Sequence, residues 1–356
     1  MQIHNLFDLG WSNYFQSQLD LDAIGSQLPF RVIAVQRDLF ECLGLDRDNR
    51  QKLLHISAYH WRNEPPEAHP TVGDWIMLDT EYQALKVLER KTLIKRRSPG
   101  KESAIQLIAA NIDTVFIITS CNDEFNINRI DRYLSIAAES GIHCIVVLTK
   151  VDLCEDVAPF LTALADAQPQ LHVEQVNATD ATSLEALKKW ITPGQTVALL
   201  GSSGVGKSTI TNSLSGNQEQ STAAIREQDS KGRHTTTSRS LHVLADGGLL
   251  LDSPGMRELQ MVDNEAGIKA TFSDIEALAS KCRFRDCQHQ SEPGCAVIEA
   301  LESGKLEQER FDNYHKLLAE QARNSASLAQ RRQNDKAMGR FYKSVMKSSR
   351  KFKSRE

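Results

Sequence analysis

The chain lacks the features that would place it in a membrane or carry it across one. No apolar stretch in its 356 residues reaches the ~18 residues of a membrane-spanning helix. The N-terminus carries Asp8 and has no basic region ahead of a cleavable apolar core. The sequence therefore predicts a soluble protein of the cytoplasm. At this length we expect two or three domains with a large buried core.

The chain also lacks the common CxxC spacing of zinc-binding thiols. Seven cysteines are present, and four scattered ones are typical of free thiols in a reducing compartment: Cys42, Cys121, Cys144 and Cys154. The others form a cluster with one histidine, in the order Cys282, Cys287, His289 and Cys295. Three thiolates and one imidazole are a closed tetrahedral set suited to structural Zn²⁺. From spacing alone, a disulfide pair or unrelated thiols remain alternatives.

A glycine-rich stretch between an apolar run and a helical pattern predicts a nucleotide site. The run Thr196–Leu200 is typical of a buried strand, and residues 208–214 are typical of a helix. Loop amides and the helix N-terminus would both point at phosphate. Lys207 would reach the β and γ phosphates, and the Ser208 hydroxyl would bind Mg²⁺. The predicted nucleotide-binding residues here are Gly201, Ser202, Ser203, Gly204, Val205, Gly206, Lys207, Ser208 and Thr209. The alternative is a plain Gly/Ser turn.

Upstream of this loop, two strand ends are similar to the base-reading loops of GTPases. An apolar strand at 144–148 runs into a tetrad close to the Asn-Lys-x-Asp motif: Thr149, Lys150, Val151 and Asp152. Asp152 would accept hydrogen bonds from guanine N1–H and N2–H₂, a donor pair that adenine lacks, so its carboxylate would discriminate against ATP. Thr149 stands where the motif usually has Asn, which weakens the brace between loops but leaves the base contact intact. A second strand at 171–176 ends in Asn177 and Ala178, where GTPases place an amide against guanine O6.

Two downstream segments are similar to GTPase switches. Residues 232–237 read Gly-Arg-His-Thr-Thr-Thr, like a first switch, while Asp252 and Gly255 frame an Asp-x-x-Gly second switch at a strand end. Many GTPases follow that motif with a Gln that orients the attacking water, but Met256 has no group able to do so. His234 is the candidate for this role, and contact with RNA or a partner is its alternative. Thr236 is the candidate Mg²⁺ ligand among three threonines.

These five elements occur in an unusual order, with both base loops ahead of the phosphate loop. Because domain termini tend to lie close together, joining the old ends and opening the chain elsewhere preserves the site. The chain resembles the circularly permuted GTPases. A preceding β-rich segment, the Gly-Arg-His-Thr-Thr-Thr switch and the Cys/His cluster make it similar, over roughly residues 28–320, to the bacterial small-ribosomal-subunit-dependent GTPases, the RsgA/YjeQ family.

This resemblance implies a multidomain fold. An N-terminal OB-fold β-barrel is expected at 28–99, a central α/β circularly permuted P-loop GTPase domain at 100–263, and a C-terminal helical zinc-binding domain at 264–325. In the GTPase domain we expect strands near 114–119, 144–149, 172–177, 196–200, 240–245 and 248–252. Helices are expected near 129–139, 157–166, 183–190 and 207–215, which favours a mainly parallel sheet covered on both faces.

Two flanking segments complete the prediction. Residues 1–27 form an amphipathic N-terminal extension, which is either a helix packed on the body or a mobile arm. Residues 326–356 form a basic tail. From residue 331 onward it carries a net charge of +8, while the whole chain carries −4, and this asymmetry indicates a nucleic-acid-binding arm. A solvated tail is the alternative.

The resemblance also implies function. The expected protein is a GTPase stimulated by the small ribosomal subunit, contacting 16S rRNA as a monomer and acting in late subunit maturation. It would bind GTP with Mg²⁺, use His234 in hydrolysis, and hold one structural Zn²⁺ per chain. A GTP-gated RNA-binding module acting on another RNA is the alternative.

Overall fold

A computed structural model of the chain describes residues 3–36, 38–97, 105–215, 239–252 and 263–325. The strands in these ranges are β1 (Leu28–Val35), β2 (Leu39–Leu45), β3 (Gln51–Ser57), β4 (Trp75–Leu78), β5 (Ala84–Val87), β6 (Leu93–Arg97), β7 (Ile105–Ala110), β8 (Thr114–Ser120), β9 (His143–Thr149), β10 (His172–Val176), β11 (Thr196–Leu200), β12 (Arg239–Val243) and β13 (Leu249–Asp252). The helices are α1 (Asn13–Gln16), α2 (Ile127–Glu139), α3 (Ala158–Ala167), α4 (Ala181–Lys188), α5 (Lys207–Ser215), α6 (Glu265–Thr271), α7 (Ser273–Ala279), α8 (Ala296–Glu302) and α9 (Gln308–Ser325). Within the described ranges, none of the helices has the length and apolarity needed to cross a bilayer.

The first five strands pair antiparallel in the order β3-β2-β1-β4-β5. Alternate side chains such as Phe30, Val32 and Ile76 form their core. Five strands agree in number with an OB barrel, and the OB-fold itself stays a prediction. Sequence patterning did not predict β2, because Glu41 and Gly44 interrupt its apolar pattern. Gly44 is needed there, since a Cβ would lie 2.7 Å from the Phe30 ring.

The N-terminal extension packs against this sheet over its described residues. Leu9 and Phe15 are buried, and the Trp11 ring meets the Trp75 ring edge-on with centroids 4.8 Å apart. Such edge-to-face pairs stabilise by about 0.5–1.5 kcal/mol beyond their buried area. Of the two alternatives for this segment, the structure therefore supports docking on the body.

Six further strands form an α/β sheet in the order β10-β9-β8-β11-β13-β12. All neighbours are parallel except β12, which runs antiparallel to β13. Along β8, Val115 and Ile117 join the cluster under α2 and α3, while Phe116 and Ile118 join the cluster under α4 and α5. Burial on both faces explains its continuous apolar sequence. The predicted strands and helices of this region are confirmed, with shifts of a few residues at their ends.

The strand order agrees with the permutation. The phosphate-loop strand β11 lies between β8 and β13 in the sheet, although β8, β9 and β10 all precede it in the chain. It is therefore the fourth of the six strands along the chain, whereas an ordinary GTPase starts with this strand and its loop.

The first five strands and the GTPase strands are hydrogen-bonded into one sheet. Strand β1 pairs antiparallel with β12, with Ala34 opposite Ser240. Next to this junction Arg31 is 1% exposed, and its guanidinium donates to the carbonyls of Leu9, Gly73 and Asn111 and to the hydroxyl of Thr196. Burial lowers the pKa of Arg31 to about 10. The residue ties the N-terminal extension and the first five strands to the start of β11.

The C-terminal helices pack on α2 of the GTPase sheet. Gly267 of α6 permits the crossing, because a Cβ there would lie 2.0 Å from the Ser135 carbonyl oxygen. Asp131 of α2, itself 1% exposed, accepts hydrogen bonds from Gln168 at 2.9 Å and from Asn313 of α9 at 3.0 Å. A buried polar contact therefore joins these helices to the GTPase.

Candidate functional site

The phosphate loop connects the end of β11 to the first turn of α5. Gly201 is required by close approach, since a Cβ would lie 2.4 Å from the Ile118 carbonyl oxygen. Gly204 and Gly206 have φ angles of +80° and +98°, which side chains rarely adopt. Helix α5 begins at Lys207, so its N-terminal amides face the loop and favour bound phosphate.

Lys207 lies folded over its own loop. Its ammonium donates to the carbonyl of Gly201 at 2.8 Å and to that of Ser202. These contacts place a positive charge at the loop, and such a charge suits the β and γ phosphates. Ser208 and Thr209 follow in the first turn of α5, and both are half-buried.

The base loop and the phosphate loop are braced by Thr149. This residue is fully buried, and its Oγ1 lies 2.7 Å from the carbonyl oxygen of Val205 and 3.1 Å from that of Thr119. One hydroxyl proton serves two acceptors, whereas the amide of the usual Asn offers two N–H groups. The Thr149 hydroxyl thus joins the base loop directly to the phosphate loop, in place of the amide that the motif usually has.

The rest of the base loop projects from the carboxyl end of β9. Lys150 has φ of +60°, a left-handed conformation that costs roughly 1–2 kcal/mol for a residue with a Cβ. A 3₁₀ turn at Val151–Leu153 follows, and it carries Asp152 with its side chain exposed. Strain of this kind is typical of ligand-binding loops.

The second base loop closes the site from the other side. Asn177 accepts a hydrogen bond from the Thr179 amide at 2.9 Å, and Ala178 is buried. A Cβ on Gly206 would lie 3.7 Å from Ala178 and 3.8 Å from Thr149 Oγ1. The two base loops and the phosphate loop therefore meet around Gly206, as the motifs predict.

The switches are described only in part. Asp252 ends β13, which runs parallel to β11, so it lies at the same edge of the sheet as the phosphate loop. Gly255, His234 and Thr236 lie outside the described residues. Their roles stay predictions.

Glu124 is a neighbour of the phosphate loop that sequence reasoning did not identify. Its Oε2 accepts from the Ser202 hydroxyl at 3.3 Å and lies 3.3 Å from Nη1 of Arg129. No motif contains Glu124, and only the packing of the loop after β8 brings it there.

The Cys/His cluster converges on one point. Sγ of Cys282 lies 3.8 Å from Sγ of Cys295 and 3.6 Å from Nδ1 of His289. All four donor atoms, including Sγ of Cys287, lie within 4.8 Å of one another. Zinc bonds of about 2.0–2.3 Å at tetrahedral angles would place the donors roughly 3.5–3.8 Å apart. The donor set and its spacing fit Zn²⁺, and convergence of four donors favours a metal over a disulfide pair.

Local backbone geometry supports this candidate zinc site. His289 has φ of +56°, and Cys295 caps α8, its Sγ accepting from the Ile298 amide. Burial alone would raise the pKa of Cys282, but the N–H groups of Ala296 and Val297 lower it below its usual value. Glu292 accepts hydrogen bonds from the amides of Gln288, Gln290 and Ser291 and so organises the loop between the ligands.

Comparison with known proteins identifies the family. The sequence model of the RsgA GTPase family matches residues 87–262. The small ribosomal subunit biogenesis GTPase RsgA 2 of Vibrio parahaemolyticus is 49% identical over 97% of this chain and 94% of its own length. The structure of YjeQ from Thermotoga maritima is similar with a TM-score of 0.61 at 24% identity, over 83% of this chain and 98% of that one. YloQ, a circularly permuted GTPase, has a TM-score of 0.59 at 25% identity, over 85% of this chain and 98% of its own. The chain therefore belongs to the RsgA family of circularly permuted GTPases and is a GTP-hydrolysing enzyme.

Proposed function

We propose that this enzyme is an assembly factor that binds the small ribosomal subunit during its late maturation and leaves it when GTP is hydrolysed. The observation that carries the proposal is the match over nearly the whole chain to relatives that are named small ribosomal subunit biogenesis GTPases. The contact of the Thr149 hydroxyl with Val205 supports the GTP-dependent part, because it joins the base loop to the phosphate loop.

In this proposal the side chains divide recognition between base and phosphate. Asp152 accepts from guanine N1–H and N2–H₂, and the amide of Ala178 faces O6. Lys207 and the amides of 201–206 hold the β and γ phosphates. Bound with GTP, Mg²⁺ neutralises phosphate charge, and its predicted protein ligands are Ser208 and Thr236. Asp252 and Gly255 form the second switch.

Water attack requires a group other than the usual glutamine, because Met256 follows the Asp-x-x-Gly motif. His234 is the proposed residue that orients this water, since a neutral imidazole nitrogen can accept a hydrogen bond from the water.

The permutation supplies the proposed coupling to the ribosome. The second switch is followed closely by α6, which packs on α2 through Gly267. Loss of the γ phosphate would release switch contacts and reposition the C-terminal helices. The barrel, the zinc-binding helices and the basic tail are the proposed contacts to 16S rRNA. A monomer acting in the cytoplasm would suffice for these contacts.

The test is GTP hydrolysis measured alone and with purified small subunits, large subunits or generic RNA. We expect stimulation by small subunits only. Equal stimulation by generic RNA would instead favour a GTP-gated RNA-binding module acting on another RNA.

A further inference from the structure

One ion pair lies directly beside the phosphate loop. Oε2 of Glu124 accepts a hydrogen bond from the Ser202 hydroxyl at 3.3 Å and lies 3.3 Å from Nη1 of Arg129. The carbonyl of the same Ser202 accepts a hydrogen bond from the Lys207 ammonium. Ser202 therefore connects the Glu124 carboxylate to the lysine that phosphate attracts, and the Arg129 guanidinium is the next group outward.

Arg129 occupies a position that the stability of its helix does not explain. Helix α2 begins at Ile127, and no acidic side chain lies in its first turn, where Arg129 stands. The N-terminal end of a helix carries partial positive charge, so the helix dipole disfavours a cation there. Glu124 supplies the opposite charge from the loop before the helix. Because β8 runs parallel to β11, this pair lies at the same edge of the sheet as the phosphate loop.

The pair is too exposed to contribute much to folding. The side chain of Glu124 is 49% exposed and that of Arg129 is 37% exposed, and water weakens ion pairs of this kind. Salt screens charges over about 8 Å at physiological ionic strength, which exceeds the two successive 3.3 Å contacts that lead from Ser202 to Arg129. Both charges are therefore close enough to act on a charged ligand in the loop.

We propose that Glu124 and Arg129 set the preference of the phosphate loop for GTP over GDP. GTP carries the additional negative charge of its γ phosphate, so a charge fixed beside the loop acts more strongly on GTP. The carboxylate opposes that added charge, whereas the guanidinium attracts it and neutralises the carboxylate. This inference rests on the phosphate-binding role proposed for Lys207 and its loop.

Removing either charge should shift the preference, and the two shifts should have opposite signs. Without the Glu124 carboxylate, the Arg129 guanidinium is left to attract the γ phosphate. Without the guanidinium, the carboxylate repels it unopposed. A unit charge about 8 Å away, at an effective dielectric constant of about 40, changes an affinity about fivefold.

The experiment uses the full-length, zinc-loaded protein in Mg²⁺ and compares its affinities for GDP and for a GTP analogue with an imido bridge between the β and γ phosphates. Glu124→Gln keeps an oxygen that can accept from Ser202, so it removes the charge alone. Arg129→Gln removes the opposite charge, and the double variant removes both. Asp123→Asn is the matched control, because it neutralises the exposed carboxylate next in the chain.

We expect Glu124→Gln to raise the preference for the GTP analogue about fivefold and Arg129→Gln to lower it by a similar factor. The double variant and Asp123→Asn should stay within about twofold of the wild type. Both shifts should shrink in about 1 M salt, because salt screens charges but leaves a change in loop shape unaffected.

Shifts of the same sign in the two single variants, an equal shift in Asp123→Asn, or shifts that salt does not reduce would each overturn the proposal. An unchanged preference in every variant would do the same. Wild type that binds neither nucleotide would instead contradict the phosphate-binding role of the loop, and the inference would fail with it.

Discussion

Single side chains set the geometry of the nucleotide loops. Thr149 replaces an amide with a hydroxyl, yet its Oγ1 still reaches both neighbouring backbones. The left-handed Lys150 turns the chain so that Asp152 projects from the sheet edge. Backbone contacts therefore shape the loop. Replacing the Asp152 side chain tests its contact with the base and not the shape of the loop.

The first prediction concerns guanine selectivity. Asp152→Asn should weaken GTP binding by about 10–100-fold, because a hydrogen bond to a charged group is lost and the Asn amide faces a donor. Xanthosine triphosphate, which has a carbonyl in place of the 2-amino group, should bind the variant better than GTP does. Competition binding measures both, with Asp246→Asn as a control at an exposed carboxylate. Tight ATP binding that is indifferent to Asp152→Asn would contradict the assignment.

A second prediction concerns His234. Its replacement by Ala should lower subunit-stimulated turnover about 100-fold or more, which is the usual contribution of a positioned acid or base. GTP affinity should stay nearly unchanged. Single-turnover hydrolysis and equilibrium binding separate the two, and parallel losses of turnover and affinity would refute a purely catalytic role.

At the scale of elements, the loop between α7 and α8 is organised by one carboxylate as well as by its four candidate zinc ligands. Backbone N–H groups of Gln288, Gln290 and Ser291 hold the pKa of Glu292 at about 2. Cys295 caps the N-terminus of α8, so the candidate zinc site and the helix start are a single structural unit. Metal binding to such a unit contributes folding free energy.

The third prediction follows from that unit. Glu292→Ala should lower zinc affinity about tenfold, as loss of an outer contact to ligands commonly does, and Glu292→Gln should lower it less. Competition with a chelating dye measures this, with Glu302→Ala as an exposed control at the end of α8.

Cys287→Ser should remove one ligand and unfold these helices more than the GTPase. An intact C-terminal fold in zinc-free protein would count against a structural metal.

At the scale of the whole molecule, two buried charged residues hold three parts of the chain together. Arg31 links the N-terminal extension and the first five strands to β11, and Asp131 links α2 to α9. Burial raises the pKa of Asp131 above its usual value, so its charge depends on these donors. The position of α9 on α2 therefore depends on this buried contact.

The fourth prediction tests this link. Asp131→Ala should destabilise docking of α9 by about 3 kcal/mol, the lower range for breaking a buried charged contact. Hydrogen exchange of α9 should then accelerate. Glu265→Ala is the control, since its ion pair with Lys269 is exposed and lies within α6, where about 1 kcal/mol or less is expected. Equal exchange in both variants would show that Asp131 has no special role.

The fifth prediction concerns the basic tail, which lies outside the described residues. Deleting residues 331–356 should weaken binding to small subunits, and it should flatten the salt dependence by roughly 0.7–0.9 units of slope for each lost phosphate contact. Intrinsic GTP hydrolysis should not change, because every nucleotide motif lies before residue 257. Binding at several salt concentrations is the measurement. An unchanged slope would place recognition wholly in the folded body.

The sequence by itself determined the phosphate loop, the base loops and the Cys/His cluster. Each depends on residue types at fixed short spacing, and the strands and helices around them follow from local apolar periodicity. The family's motif order also predicted the permuted sheet. The sequence predicts these features because each depends on only a few neighbouring residues.

Only the tertiary structure decided how the parts meet. Pairing of Ala34 with Ser240, the contact of Glu124 with Ser202 and the burial of Asp131 against Asn313 join residues 78 to 206 positions apart in the chain. No local pattern encodes such contacts, because a hydrogen bond between distant side chains depends on the packing of every element between them.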